Sequence, residues 1–383
     1  MCFFFIEFVK LDHKYIDFVT YYRYSFVNFT NVNINYTYSI GLMSGTSLDG
    51  LDLVYVKLNT QYYQDFEIIH TDTVPYSEKW KTILQKSIDF SENDLTKLDI
   101  EYGRLLADHV SDFIEKYAIT KIDFIASHGH TVLHQPEKGI TLQIGNGQVL
   151  ANKTKHKVVC DFRSQDVALG GQGAPLVPVG DALLFSKYDY CINLGGFSNV
   201  SCQKHEERIA FDICPVNIVM NFYASKLGMD YDDNGALASK GKLNHRLLEK
   251  LNQLDYYKKK HPKSLGLEWV QREIFPLIDE MEADVSNILR TFVEHVAIQI
   301  SKIIEKDLTI LFTGGGVFNS FLMSRIRILS LGKVVKVSNR LVNYKEALVF
   351  SFLGLLKIKN EINCLKSVTG AHKNHVSGVV FYP

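Results

Sequence analysis

Apolar and polar positions along this chain switch between two periods, and the switches mark most of its elements. Residues 38–42 are a short apolar run; after a loop of small polar residues, 51–58 alternate as a half-buried strand does. Residues 66–74 read as a third strand, ended by Pro75-Tyr76-Ser77. Ser77 is placed to cap a helix to about Ser87, with Glu78 in its first turn. Ser91 opens a longer amphipathic helix through Tyr117, on which Leu95, Leu98, Tyr102, Leu105 and Leu106 share a face. Residues 122–127 and 158–162 are apolar runs of the kind buried in a parallel sheet. The alternation predicts an α/β fold with helices on both sides of a sheet.

The pattern then restarts. Residues 188–194 predict a strand, Gly195-Gly196-Phe197-Ser198-Asn199 a tight polar turn, and 200–203 a return strand. Residues 209–212 follow as a third, and Pro215 opens a helix to about Lys226. A strand, a glycine- and serine-rich turn and further strands and helices therefore occur twice, in the same order. Two such halves, each aiming a hairpin turn at one place, would clamp a polyphosphate from both sides. Further on, a buried strand over 308–313 runs into Gly314-Gly315-Gly316, with a helix expected over 317–326. Strand, glycines and helix N-terminus can seat a base, ribose or phosphate, although glycine clusters also make ordinary turns.

The first loop carries the most chemistry. Ser44, Gly45, Thr46, Ser47, Asp49 and Gly50 let backbone N–H groups and hydroxyls converge on one point, which suits a phosphate. No Lys follows the glycines, and Asp49 stands where a cation would be expected, so magnesium is expected between loop and phosphates. A polar hairpin turn with no ligand is the competing reading.

Bulk composition narrows the partners. The 383 residues suffice for two domains, and Lys+Arg and Asp+Glu are equal at 42 each, so no net field recruits nucleic acid or an anionic membrane. A small-molecule substrate is expected. The six cysteines form no C-x-x-C pair and several lie in apolar runs, which reads as buried free thiols in a reducing cytoplasm rather than as zinc ligands. Residues 1–37 are rich in Phe, Tyr and Asn but too charged for a membrane span, and lack the marks of a signal peptide; a poorly ordered extension is expected.

From Tyr38 to Pro383 the chain resembles the anhydro-N-acetylmuramic acid kinases, within the actin-like and hexokinase-like ATPases. The resemblance rests on Met43-Ser-Gly-Thr-Ser-Leu-Asp-Gly-Leu-Asp52, Ser127-His-Gly-His-Thr131, Asp161-Phe-Arg163 with Asp166, and Gly170-Gly-Gln-Gly-Ala-Pro-Leu-Val-Pro178. It continues through Asn193-Leu-Gly-Gly-Phe-Ser-Asn199, Phe211-Asp212, Asp232-x-x-Gly235-x-x-Ala238-x-x-Gly241, Pro262-Lys-Ser264 and Gly314-Gly-Gly-Val-Phe-Asn319. It implies two actin/hexokinase-like domains, each a mixed sheet flanked by helices, with a cleft between them. Their expected bounds are 38–163 with about 362–383, and 164–361. It also implies a reaction: water opens the 1,6-anhydro bridge of anhydro-N-acetylmuramic acid from cell-wall turnover, and O6 takes the γ-phosphate of MgATP. A related sugar kinase with another substrate, or a nucleotide-binding sensor without turnover, are the alternatives. The family is usually dimeric, and the apolar stretch 347–356 suits a core or an interface equally.

Residue by residue, the resemblance makes Asp212 the general base, where the residues alone favour a helix cap. Glu346 corresponds to a sugar-contacting glutamate that the resemblance makes a second catalytic residue, binding hydroxyls or assisting the ring opening, against a plain reading as an exposed residue in a first helical turn. His128, Arg163 and Asn217 are expected at the substrate, His128 without proton transfer. For Arg163 with Asp166, an internal ion pair is the competing explanation. ATP is assigned to Gly45, Thr46, Ser47, Leu48, Asp49, Gly50, Leu51 and Asp52, to Gly195, Gly196 and Asn199, and to Gly314, Gly315 and Gly316, with Asp49 near the metal. Cys214 and Val216 stand where the family commonly has glycine around Pro215.

Overall fold

The first three predicted strands form an antiparallel meander, β1 (Tyr36–Ser44), β2 (Leu51–Asn59) and β3 (Phe66–Val74). The computed structural model describes residues 35–45 and 48–383. The extension expected over 1–37 therefore lies outside the described residues except for its last three, and Thr46 and Ser47 of the first loop lie outside them too. Ser77 accepts from Trp80 N–H at the head of helix Glu78–Lys86, and Ser91 from Asp94 N–H at the head of Glu92–Lys116, as their spacing predicts. β4 (Phe124–Ser127) lies parallel to β1. A separate hairpin of β5 (His130–Gln135) and β6 (Ile140–Ile144) follows, and β7 (Val158–Cys160) lies parallel to β4.

The second half repeats this scheme. β8 (Tyr190–Leu194), β9 (Phe197–Lys204) and β10 (Glu207–Pro215) form another antiparallel meander; β11 (Thr309–Thr313) is parallel to β8, and β12 (Lys333–Val335) to β11. Finally β13 (Val379–Phe381) returns to pair antiparallel with β7. The sheets read β13-β7-β4-β1-β2-β3 and β10-β9-β8-β11-β12. Without β13, third, second, first, fourth and fifth strands stand in the same order in both.

Each sheet buries two faces, which yields three cores. Leu42, Leu51 and Leu53 meet Leu98, Tyr102 and Leu106 of helix Glu92–Lys116 on one side of the first sheet. Beyond the second sheet, Ile192 and Ile310 meet Val219 and Tyr223 of helix Asn217–Ser225 and Phe292 and Val296 of helix Val285–Ile303. The middle core is shared. There Val54, Phe124 and Ala126 of the first sheet and Cys191 and Leu311 of the second pack with Leu348, Phe352 and Leu356 of helix Asn339–Ile358, and with Val179 of helix Val177–Leu183. The run 347–356 is thus core. Among the described residues, no helix is long and apolar enough to cross a membrane.

Three predicted boundaries need correction. Phe197–Asn199 belong to β9 and not to the turn before it, and Pro215 closes β10, the helix after it being Asn217–Ser225. The helix expected over 317–326 is two elements: a 3-10 turn Gly315–Phe318, then helix Ser320–Leu329 capped by Asn319, whose side chain accepts from Leu322 N–H. An Asn three residues before a free N–H ends one turn and starts the next.

Candidate active site

Corresponding turns of the two sheets carry the residues expected at the phosphates. In the first, Gly45, Leu48, Asp49 and Gly50 connect β1 to β2; Leu48 takes a positive φ of 60° and donates to Gly45 O at 3.3 Å. Asp49 is exposed. Leu51 begins β2 and is buried, whereas Asp52 opposes Thr73 in the ladder and accepts from its hydroxyl at 2.6 Å. Burial and the neighbouring Asp49 push the Asp52 carboxyl up, and the Thr73 hydrogen bond opposes them. Asp49 and Asp52 are carboxylates of the kind that ligate a divalent cation.

The second turn, Gly195-Gly196, is tied to the next helix. Gly195 O and Gly196 O accept from the N–H groups of Asn217, Val216 and Ile218. Asn217 Nδ2 donates to Leu194 O at 3.3 Å and lies beside Gly315 and Gly316. Gly314 has φ +84°, and a Cβ there would stand 2.5 Å from Asn193 Oδ1, so only glycine fits. Gly195, Gly196, Asn217 and Gly314–Gly316 are thereby brought together. They adjoin a cleft of about 360 Å³ lined by Asn217, Met220, Tyr231, Asp232, Phe318 and Asn319 among others. Asp232 fixes this wall by accepting from Leu237 and Ala238 N–H. An apolar and aromatic rim over small polar groups suits a nucleoside. Of these lining residues Asn217 was expected at the substrate, Asp232, Phe318 and Asn319 lie in quoted motifs, and Met220 and Tyr231 carried no sequence signal.

Asp212 sits at a bulge of β10, opposite Asn199 of β9. Its Oδ2 accepts from Leu265 N–H at 2.8 Å, its N–H donates to Lys263 O, and its carbonyl accepts from Tyr256 Oη at 2.7 Å. It does not cap the following helix, whose first position is preceded by Val216 without a side-chain cap. Burial raises its carboxyl above the ordinary range, and the Leu265 hydrogen bond only partly offsets this. Oδ1 makes no hydrogen bond among the described residues, so it is available to an incoming proton. Cys214 and Val216 are fully buried in the outer core.

A third group lies around helix Asn339–Ile358. His128 donates through Nδ1–H to Gly129 O at 2.9 Å, and its Nε2 accepts from Arg163 Nε and Nη2 at 3.0 and 2.9 Å. Burial and then the Arg163 charge bring His128 down to about 3, so the ring is neutral at physiological pH. Arg163 Nη1 also donates to Gly173 O, and no ion pair joins it to Asp166. Asp166 instead holds Gly173 N–H at 2.7 Å. Glu346 is exposed on helix Asn339–Ile358. Desolvation raises its carboxyl; Lys345 and Arg163 pull it down and Asp52 pushes it up. Asp52, Arg163 and Glu346 therefore share one electrostatic neighbourhood, while no hydrogen bond or ion pair links them to Asp212. Sequence reasoning missed Lys345, which is buried and pairs with Asp181 of helix Val177–Leu183 at 2.6 Å. It also missed Tyr344, a kink in the helix whose hydroxyl donates to Thr73 Oγ1 at 3.0 Å, since the Thr73 proton goes to Asp52.

A family model described as anhydro-N-acetylmuramic acid kinase matches residues 37–383. A relative of that name from Nitrosomonas europaea is 33% identical over 367 residues, covering 90% of this chain and 99% of its own. Another from Shewanella oneidensis is 34% identical over 366 residues, covering 90% and 98%. The Haemophilus influenzae relative is 33% identical over 382 residues, covering 91% and 99%. Likeness to solved structures is weaker: component A of the Acidaminococcus fermentans (R)-2-hydroxyglutaryl-CoA dehydratase overlays 84% of this chain and 99% of its own at 12% identity and TM-score 0.45.

Proposed function

Since the chain belongs to the anhydro-N-acetylmuramic acid kinase family, we propose that Asp212 is the base with which it opens 1,6-anhydro-N-acetylmuramic acid and phosphorylates the freed O6. A water oxygen bonds to C1 as the C1–O6 bridge breaks; the water proton passes to Asp212 Oδ1, O6 takes the γ-phosphoryl group, and ADP leaves. The products are N-acetylmuramic acid 6-phosphate and ADP. The observation that carries this reading is the Asp212 carboxylate itself. One oxygen is fixed by Leu265 N–H, the other is available, and burial raises its proton affinity.

The other residues divide by position. Gly195, Gly196, Asn217 and Gly314–Gly316 bring backbone and amide groups to the donor, with the neighbouring cleft taking its nucleoside. Gly45, Leu48, Asp49, Gly50, Leu51 and Asp52 face its phosphates from the other sheet, and the family motif assigns Thr46 and Ser47 to the same phosphates. Asp49 and Asp52 are carboxylates of the kind that hold magnesium, which when bound offsets charge on the phosphates. Arg163 suits the lactyl carboxylate of the sugar, neutral His128 orients Arg163, and Glu346 accepts from sugar hydroxyls. Residues 38–163 with 362–383 and residues 164–361 act as two domains that close and exclude water. The enzyme works as a homodimer in a reducing cytoplasm; the buried, unpaired thiols Cys160, Cys191, Cys202 and Cys214 among the described residues support the compartment.

The test incubates the purified chain and Asp212→Asn with MgATP and the anhydro-sugar. The wild type is expected to yield the ring-opened 6-phosphate, and the variant to lose roughly 10²–10⁴-fold in kcat with ATP affinity kept. A fully active variant would remove Asp212 as base.

A further inference from the structure

Behind the wall that carries Arg163 lies a buried cluster that the kinase reaction does not use. Asp166, Cys364 and His375 are 0%, 1% and 5% exposed. One ligand atom from each lies within 4.8 Å of the others. Cys364 Sγ stands 3.0 Å and His375 Nε2 3.6 Å from Asp166 Oδ1. A tetrahedral zinc with bonds of roughly 2.0–2.3 Å separates its ligands by about 3.2–3.7 Å, so only small shifts are needed.

The hydrogen bonds around the cluster orient it. His375 Nδ1–H donates to Lys373 O at 3.1 Å, which leaves the lone pair on Nε2, and that atom is buried without a hydrogen-bond partner. A lone pair buried against a carboxylate is unfavourable unless a proton or a metal ion lies between them. A metal-bound histidine commonly has its second nitrogen on a backbone carbonyl and its lone pair on the metal side. The carboxylate is braced similarly: Thr369 Oγ1 donates to Asp166 Oδ1 at 2.8 Å, and Gly173 N–H to Oδ2 at 2.7 Å. Lys373 and Asn374, just before His375, are exposed and give ions a short approach.

We propose that Asp166, Cys364 and His375 form a structural site for a borderline divalent cation, zinc foremost, with water as the fourth ligand. Sulfur, imidazole and carboxylate together favour zinc over magnesium or calcium. Binding forms the metal–thiolate bond and releases the Cys364 thiol proton to solvent. The site would tie the C-terminal segment to Asp166, and through Gly173 to Arg163, so occupancy steadies the sugar-side wall. No short spacing could disclose it, because Asp166 and Cys364 are 198 positions apart.

The full chain, purified without chelator and reconstituted with zinc, is expected to retain near-stoichiometric metal by plasma mass spectrometry. Its cobalt(II) form should show a thiolate charge-transfer band. Cys364→Ser and His375→Gln should each lose the metal, and Cys364→Ser the band, with folding checked by near-ultraviolet dichroism. A wild-type chain that retains no zinc after reconstitution overturns the proposal, whether or not the variants fold. So does a cobalt band that persists in Cys364→Ser; the hydrogen bonds of Cys364 and Thr369 to Asp166 then account for the cluster.

Discussion

Asp212 is costly to the fold in the state that catalysis requires. Burial raises its carboxyl above the ordinary range of about 3.9. The native state therefore binds this proton more readily than the unfolded chain does, and the contribution to stability grows as pH falls. At neutral pH, Asp212→Asn is expected to melt at or above the wild-type temperature by scanning calorimetry while turnover collapses. The same shift fixes the acid limb of kcat/KM: activity needs the carboxylate, so it falls with decreasing pH, at a pH above that of an exposed aspartate. A limb at or below the exposed value would contradict the assignment. Asp212, His128, Arg163 and Glu346 could be singled out in the sequence because each lies in a short motif. Lys345 and Asp181 could not. Their pairing spans distant segments, and an isolated Lys or Asp in an apolar helix carries no local mark.

Among the elements, helix Asn339–Ile358 does the most to position the site. It lies so close on β1 that a Cβ on Gly41 would come 2.2 Å from Ala347 O. Gly41→Ala must push the helix away, and a loss of about 1–3 kcal/mol is expected from chemical denaturation, as for other overpacked cores. Glu346 is next to Ala347, so a fall in kcat/KM should accompany the lost stability. The strands of both meanders were readable because they alternate or run apolar between turn residues, and both caps Ser77 and Ser91 were marked by spacing. The hairpin β5–β6 was not, since His130-Thr-Val-Leu-His-Gln135 mixes polarity and its turn carries Pro136. The terminal β13 is three residues long, too short for any period. The break at Asn319 was hidden by apolar residues on both sides of the cap.

For the whole molecule, the shared middle core makes the two sheets interdependent. The Lys345–Asp181 pair lies within this layer, at 6% and 4% side-chain exposure. Burial works against the Lys345 charge, but Asp181 overrides it and holds the ammonium above its usual range. Asp181→Asn leaves that charge without its counter-ion and should cost about 3–5 kcal/mol, whereas replacing both partners with apolar residues should recover much of the loss. Equal losses in the single and double variants would deny the coupling. The repeated strand order was legible as two successions of strand, turn and strand; the layer between them was not, because its contacts join residues up to three hundred positions apart. That layer bears on synthesis. β1 to β4 leave the ribosome early, yet their inner face is covered by helix Asn339–Ile358 and the β7 edge by β13, both among the last segments made. Until release, the nascent first sheet carries an uncovered apolar face and an open edge, the two features that invite aggregation. A chain stopped before Asn339 should accumulate with holdase chaperones, and full-length product should be freed from them on completion.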